Sequence, residues 1–470
     1  MRRVSRYMTA FALLFCGFSL YVARQAAQEP ATRAVEAMPI SVARGEGSST
    51  TTDADTHTRR ADLVRRGEYL ARLGNCAGCH TADPARPFAG GRAIDSPFGR
   101  LYTPNLTPDL ATGIGAWSDA DFLRAMHEGM GRDGERLFPA FPYVEFTRVS
   151  DGDVLAIRAY LRTLAPIRYT PPANLLHFPF KLRGLIALWN LLNFEPARFV
   201  PDPHQSAEYN RGAYLVEGLA HCEECHTPRN LTYGLSKTRR FSGGTQAGWL
   251  AYNITPDRVS GIGGWSDDAL MRYLTTGVAA GHASAAGPMA EIVQNATQYL
   301  RPEDLRAMSV FLRAQPGVRD LEHVKELRPR DMLGEPAIDD VTTLRGSGVG
   351  GVGDAGKVSG AQLFVANCAS CHRWTGAGVT GGAAASATSA YESLIHNSTV
   401  GASSADNLAM VILYGVRRQT KNADVLMPAF ADELDDAQIA ALANYVTKRF
   451  GNPATATTVS RIADLRAQAQ

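Results

Sequence analysis

What this chain lacks narrows its class first. It has no cysteine to spare: seven occur in 470 residues, and six of them fall in three close pairs. It carries little excess charge, +2 from 48 basic and 46 acidic side chains. With no long basic run away from the N-terminus, that balance argues against a nucleic-acid footprint. After the run from Tyr7 to Ala23, no stretch approaches the roughly 20 apolar residues that a spanning helix needs. There is no phosphate loop, no nucleophile motif and no evident acid–base pair, so nothing points to substrate chemistry of its own. Apolar residues at 45% and charged residues at 20% are an ordinary globular balance. The length suits about three domains of roughly 150 residues each.

The N-terminus is patterned as an export signal. Arg2, Arg3 and Arg6 precede the apolar run, and the chain then turns polar. Residues 1–27 are therefore assigned to a signal peptide, cleaved near Ala26 or Ala27, or to an N-terminal anchor. Cys16 lies inside the run. Phe15 stands where a lipoprotein signal wants a small residue, which argues against lipidation.

The paired cysteines carry the chemistry. They are Cys76 and Cys79, Cys222 and Cys225, and Cys368 and Cys371, and each pair is followed directly by a histidine: His80, His226 and His372. Each motif begins 146 residues after the one before. Cys-x-x-Cys-His is the signature of c-type haem attachment. Two cysteines three positions apart on a helical turn can each form a thioether with a haem vinyl group. The next residue then lies beneath the iron, where its imidazole is the proximal ligand. Structural zinc would need a second Cys or His pair close in sequence, and the nearest lies a domain away. A dithiol redox centre would not require the histidine. The expectation is three covalently bound haem c groups.

The sixth ligand separates electron transfer from ligand chemistry, because methionine opposite histidine closes the iron and raises its potential. Met427, in Met427-Pro428-Ala429-Phe430, and Met289, in Gly287-Pro288-Met289-Ala290, lie in loops well after their motifs. Met308 and Met271 fall within helical stripes and read as core. The first unit offers Phe138-Pro139-Ala140-Phe141-Pro142-Tyr143, with no methionine. Met126, Met130, His127 or an open iron are the alternatives there. Met126 is preferred, since it would extend from a helix face toward the haem.

The self-similarity extends beyond the motifs, as expected of a repeat architecture. Arg66-Gly67-Glu68-Tyr69-Leu70 matches Arg211-Gly212-Ala213-Tyr214-Leu215, and Asn105-Leu106-Thr107-Pro108 matches Asn253-Ile254-Thr255-Pro256. The run Gly113 to Asp119 matches Gly261 to Asp267. Each unit ends in a helical stripe: Val154, Ile157, Tyr160 and Leu161; then Leu305, Met308, Phe311 and Leu312; then Ile439, Leu442, Tyr445 and Val446. Ser150 and Asp153 are placed to cap the first of these helices. The fold expected is mainly α, with three tandem cytochrome c domains at 61–174, 205–340 and 359–452. A flexible segment (28–60) precedes them, an apolar connector (175–204) and a Gly-rich linker (341–358) join them, and a tail (453–470) follows. His204, His282 and His323 read as solvated rather than ligating.

With these motifs in hand, the chain resembles the tri-haem cytochrome c subunits of membrane-bound bacterial dehydrogenases, such as gluconate and quinoprotein alcohol dehydrogenases. The likeness covers nearly all of residues 62–450. It rests on Pro139-Ala140 with Pro142-Tyr143, on Ala187-Leu188-Trp189-Asn190-Leu191-Leu192 and on His226-Thr227-Pro228-Arg229-Asn230. Gly287-Pro288-Met289-Ala290 and Asn397-Ser398-Thr399-Val400 add to it. The resemblance implies an electron-transfer subunit rather than a catalytic one. It implies a partner dehydrogenase with a flavin, a quinone cofactor or a molybdenum centre, and ubiquinone or another respiratory acceptor. It implies a periplasmic location on the outer face of the cytoplasmic membrane, with Leu175 to Phe199 as the contact region. It also implies a methionine in the Pro-Ala-x-Pro-Tyr loop, where this chain has Phe141. Two other functions compete: a peroxidase-like haem enzyme using an open first haem, and the cytochrome subunit of a terminal oxidase or nitrogen-oxide reductase.

Overall fold

The apolar stripes form helices, and Ser150 caps the first of them as the pattern placed it. A computed structural model describes residues 53–319, 329–334, 359–378, 393–422 and 424–468. The expected signal at residues 1–27, Cys16, the 341–358 linker and His323 lie outside them. The first repeat contains α1 (Asp53–Leu73), α2 (Cys76–His80), α3 (Asp119–Glu128), α4 (Tyr143–Phe146) and α5 (Asp151–Leu161). After α6 (Gly184–Asn193), the second contains α7 (Ala207–Tyr214), α8 (Glu223–His226), α9 (Asp267–Thr276), α10 (Gly287–Asn295) and α11 (Pro302–Arg313). Next come α12 (Gly360–Asn367), α13 (Ala369–His372), α14 (Asp406–Tyr414), α15 (Asp436–Phe450) and α16 (Val459–Gln468). The described chain is mainly helical. Its strands form small antiparallel hairpins, with β3 (Leu175–Leu176) added to the first, β1 (Ala93–Ser96) with β2 (Gly99–Tyr102). Among the described residues no helix is long and apolar enough to cross a membrane.

One crossing recurs three times. Gly67 of α1 lies against the Ala156 carbonyl of α5, Gly212 of α7 against Ala307 of α11, and Gly360 of α12 against Ala441 of α15. A side chain at any of these glycines would meet backbone, so the helices could not approach so closely. The repeated Asn-x-Thr-Pro and Gly-Ile-Gly segments are explained in the same way. Asn105 Oδ1 accepts from the Thr107 amide at 2.9 Å, and Asn253 Oδ1 from Thr255 at 2.8 Å. Ser118 and Ser266 then cap α3 and α9, and Ser150 caps α5.

Buried side chains of the first two repeats make one continuous core, running from Leu70 through Val154 and Leu215 to Leu312. A second core gathers Phe364, Met410, Leu442, Phe450, Ile462 and Leu465. Residues 453–470, expected as a tail, thus supply α16, whose Ile462 and Leu465 are fully buried. Val459, Ile462 and Leu465 recur every third residue, but only the last two are buried, and so short a stripe is easily overlooked in sequence. Helix α1 likewise begins at Asp53, inside the segment read as flexible. His282 is not solvated. It stacks on Trp265 and its Nδ1 lies 2.6 Å from Asp331 Oδ2.

The first two repeats exchange side chains across their contact. Arg66 pairs with Asp153 of its own repeat, and Tyr214 of the other repeat donates to the same carboxylate at 2.5 Å. Arg211 pairs with Asp304 at 2.7 Å, and Tyr69 donates to that carboxylate at 2.5 Å. The Arg-Gly-x-Tyr-Leu repeat therefore serves two purposes: arginine anchors within a repeat and tyrosine reaches across. Asp304 is 2% exposed. Burial alone would push its carboxyl up, but hydrogen bonds from Arg211, Tyr69 and Arg301 outweigh it and hold the pKa at about 2.

Candidate haem-binding sites

Each motif occupies one short helical turn. Cys76 and Cys79 lie on α2, while Cys222 and Cys368 stand at the N-caps of α8 and α13. All six thiols are free and half-buried. Burial pushes Cys76 and Cys222 up to about 12 and Cys368 to about 11, so they are neutral thiols in apolar surroundings. Cys225 is pushed to about 11 by burial, then by Glu224, with Cys79 of the first motif contributing. The attachment turns of the first two repeats thus lie near one another.

Two of the three motif histidines are oriented as ligands require. His80 Nδ1 lies 2.8 Å from the Pro104 carbonyl oxygen, and His226 Nδ1 lies 2.6 Å from that of Tyr252. A proton on Nδ1 donated to that carbonyl leaves Nε2 with a lone pair for a metal. Burial lowers His80 to about 4, which keeps the ring neutral. Around both motifs the scaffold is the same. The amides of Gly90 and Gly243 donate to the His80 and His226 carbonyls, and Thr81 and Thr227 accept from the amides of Phe88 and Phe241. Paired neutral thiols with a pre-oriented imidazole fit covalent haem c.

On the distal side, Met289 lies in the first turn of α10, half-buried against the core. Met427 ends β5 (Asp424–Met427), which pairs with β4 (Val416–Gln419). The first repeat differs. Met126 sits on α3, 6% exposed, in the core beside Phe122 and Phe146. His127 is fully engaged: its Nε2 lies 2.9 Å from the Val149 carbonyl oxygen, and its Nδ1 faces Arg198. Both nitrogens are thereby removed as ligands. Phe141 packs edge-on to Phe146, with centroids 5.4 Å apart. Tyr143 beside it is wholly buried and donates to Asn190 of α6 at 2.6 Å.

Sequence reasoning missed two features here. Arg92 donates to the Gly78 carbonyl at 2.5 Å, inside the first motif, and forms a bidentate pair with Glu291 of α10, two residues beyond Met289. Glu145 is 3% exposed, and no donor reaches either carboxyl oxygen. Burial, then the neighbouring Glu224 and Glu223, push its pKa well above the carboxylate range. Arg92 and Glu291 stand 199 positions apart, and no local pattern announces such a pair.

A cytochrome c family model matches residues 64–165 and 358–449. The chain is 38% identical over 419 residues to the fructose dehydrogenase cytochrome subunit of Gluconobacter japonicus, covering 86% of this chain and 82% of that protein. This chain belongs to the family of dehydrogenase cytochrome c subunits. It is 34% identical over 430 residues to the cytochrome c subunit of the quinone-type alcohol dehydrogenase of Gluconobacter oxydans, covering 87% of this chain and 84% of that one. It is 34% identical over 423 residues to the gluconate 2-dehydrogenase cytochrome c subunit of Pantoea cypripedii, covering 86% and 89%. Membership of this cytochrome family implies covalent haem c and electron transfer.

Proposed function

We propose that this chain is a three-haem relay in the periplasm, on the outer face of the cytoplasmic membrane. It takes electrons from a partner dehydrogenase and passes them to ubiquinone or another respiratory acceptor. The observation that carries the reading is the Arg92–Glu291 pair. It fastens the first attachment turn to the helix that bears Met289, so neighbouring redox sites are held by one rigid link. Cys76, Cys79 and His80, Cys222, Cys225 and His226, and Cys368, Cys371 and His372 hold the haems, with Met289 and Met427 as distal ligands. Haem c supplies one-electron chemistry when bound. The protein fixes the imidazoles through Pro104 and Tyr252, keeps the thiols neutral until attachment, and sets the spacing between sites. The exposed apolar side chains Leu191 and Leu192, 68% and 56% accessible, give α6 an outward face suited to a membrane surface.

Purification of the native complex tests this. The expected result is three haem c per chain, co-purification with a dehydrogenase, and reduction of all three haems by its substrate. Fewer haems per chain, or a terminal oxidase as the only partner, refutes it. The second reading, a haem enzyme with an open first iron, is favoured by Phe141 and by the engagement of His127. Carbon monoxide binding to the reduced protein, together with peroxidase turnover, would establish it. No carbon monoxide binding at any haem eliminates it.

A further inference from the structure

Helix α10 is where the three repeats meet. Its first turn carries Met289, yet no side chain caps it: Ala286 stands at the N-cap, and the turn has no acidic residue. Helices α3, α5, α7 and α9 each have a serine cap. An uncapped helix leaves its first amides without local partners, so the contacts that fix this turn come from elsewhere. The Trp249 ring takes the space that a Cβ on Gly287 would fill. From the third repeat, the Gln419 amide of β4 donates to Gln294 at 2.9 Å, and Arg418 donates to the Ala285 carbonyl just before the helix. From the first repeat, Arg92 holds Glu291 bidentately, with Nη2 donating to Oε2 at 2.7 Å. Its Nη1 also donates to the Gly78 carbonyl at 2.5 Å, inside the first attachment turn.

We propose that Arg92 is a positioning residue for the second haem: from the first repeat, through Glu291, it sets Met289 against the iron. The inference rests on the relay reading above and deepens it. A ligand closes a metal only when supporting contacts hold it within about 0.5 Å of the working geometry. Removing such a supporting partner typically costs about 10–100-fold in affinity for the metal. Glu291 and Met289 are two positions apart on one helix, so their side chains point to different sides. The carboxylate can thus be held by the first repeat while the thioether serves its own haem, and a shift of one carries the other. Because Arg92 also bonds the turn of Cys76 and Cys79, the first attachment site and the second distal ligand are fixed to each other. An exposed ion pair would hold its partners loosely. This one is partly buried, two-pronged and tied to a backbone carbonyl, which fixes direction as well as distance.

The experiment uses the full haem-loaded chain and reads ligation rather than turnover. Carbon monoxide competes with Met289 for the reduced second iron, so in Arg92→Ala that haem is expected to bind it about tenfold or more tightly than in wild type. The methionine–iron charge-transfer band of the oxidised protein should fall by about half, since Met427 still supplies its share. Arg92→Lys, which keeps the charge but not the fork, should lie between wild type and Arg92→Ala. Adding Met289→Ala to Arg92→Ala should open no further haem, because both changes act on one bond. Glu291→Gln keeps the shape and loses the charge, and it carries the test if Arg92→Ala fails to retain its haems. Unchanged carbon monoxide affinity with an unchanged band in these variants overturns the positioning role alone. A double variant that opens one haem more than Arg92→Ala also overturns it, since the effect would then lie at another haem. If Met289→Ala leaves every haem closed, Met289 is not the ligand and the role falls with it. Wild-type haems that no dehydrogenase reduces would overturn the relay reading but not the positioning role.

Discussion

Replacing Gly212 with alanine sets two known effects against each other. Propensity alone favours the change, since glycine inside a helix is about 1 kcal/mol worse than alanine. Geometry opposes it. A Cβ on Gly212 would overlap the Ala307 carbonyl oxygen, lie 2.5 Å from its carbon and come within 2.8 Å of Phe311 Cβ. Ordinary contact needs about 3.5 Å or more, so α7 and α11 must separate by something near 1 Å. Overpacking of this kind costs about 1–3 kcal/mol. The separation would also strain the Arg211–Asp304 pair that spans the same two helices. A net loss of about 2 kcal/mol follows. Gly152, in the first turn of α5, has nothing within 4 Å of its Cβ position, so Gly152→Ala keeps the propensity gain, up to about 1 kcal/mol. Thermal unfolding of the holo-protein followed by circular dichroism measures both. A lower midpoint for Gly212→Ala and an equal or higher one for Gly152→Ala is expected. Equal midpoints in the two variants would refute the idea that the glycine serves the close crossing.

Asp304→Asn should cost about 2–4 kcal/mol at pH 7, because it breaks a buried charge pair. The folded carboxyl titrates at about 2, below its unfolded value. Its contribution is therefore present above about pH 4 and is lost as pH falls through 2, and the gap between variant and wild type should close over that window. Glu145→Gln should have the opposite signature. The folded acid has a raised pKa, so wild type is most stable below the unfolded value of about 4.3 and weakens as pH rises. The glutamine variant should flatten that decline in thermal scans at a series of pH values, and an unchanged slope would contradict the assignment. Met289→Ala should open the second haem, so that the reduced variant binds carbon monoxide at one more site than wild type.

The parts of this fold visible in sequence were those with local signatures. Leu305, Met308, Phe311 and Leu312 recur at helical spacing, and all four are buried. Ser150 and Asp153 are three apart, and the cap forms. The three motifs are contiguous, and each lies on its expected turn. Long-range pairing left no such trace. Tyr69 and Asp304 are 235 residues apart, and nothing near Tyr69 says that its hydroxyl crosses to another repeat. The 175–204 connector was only half legible. Its leucines are plain in sequence, but which of them face outward is decided by Asn190 and Ile186, which face the protein. The preference for Met126 rested on a helix face. The structure adds that this face is core, shared with Phe122 and Phe146.

Finally, the reciprocal tyrosine bonds have a consequence for the direction of electron flow. When one repeat gives another the same contact that it receives, the two stand as the halves of an isologous dimer, here written in a single chain. Such a pair starts out even. Its two attachment turns stand as equivalents, and symmetry alone favours neither haem as donor. Any downhill step between them has to be built by residues that break the likeness. Among them are Phe141 where its counterpart has a methionine loop, Arg92 clasping Glu291, and the buried Glu145 beside Glu224.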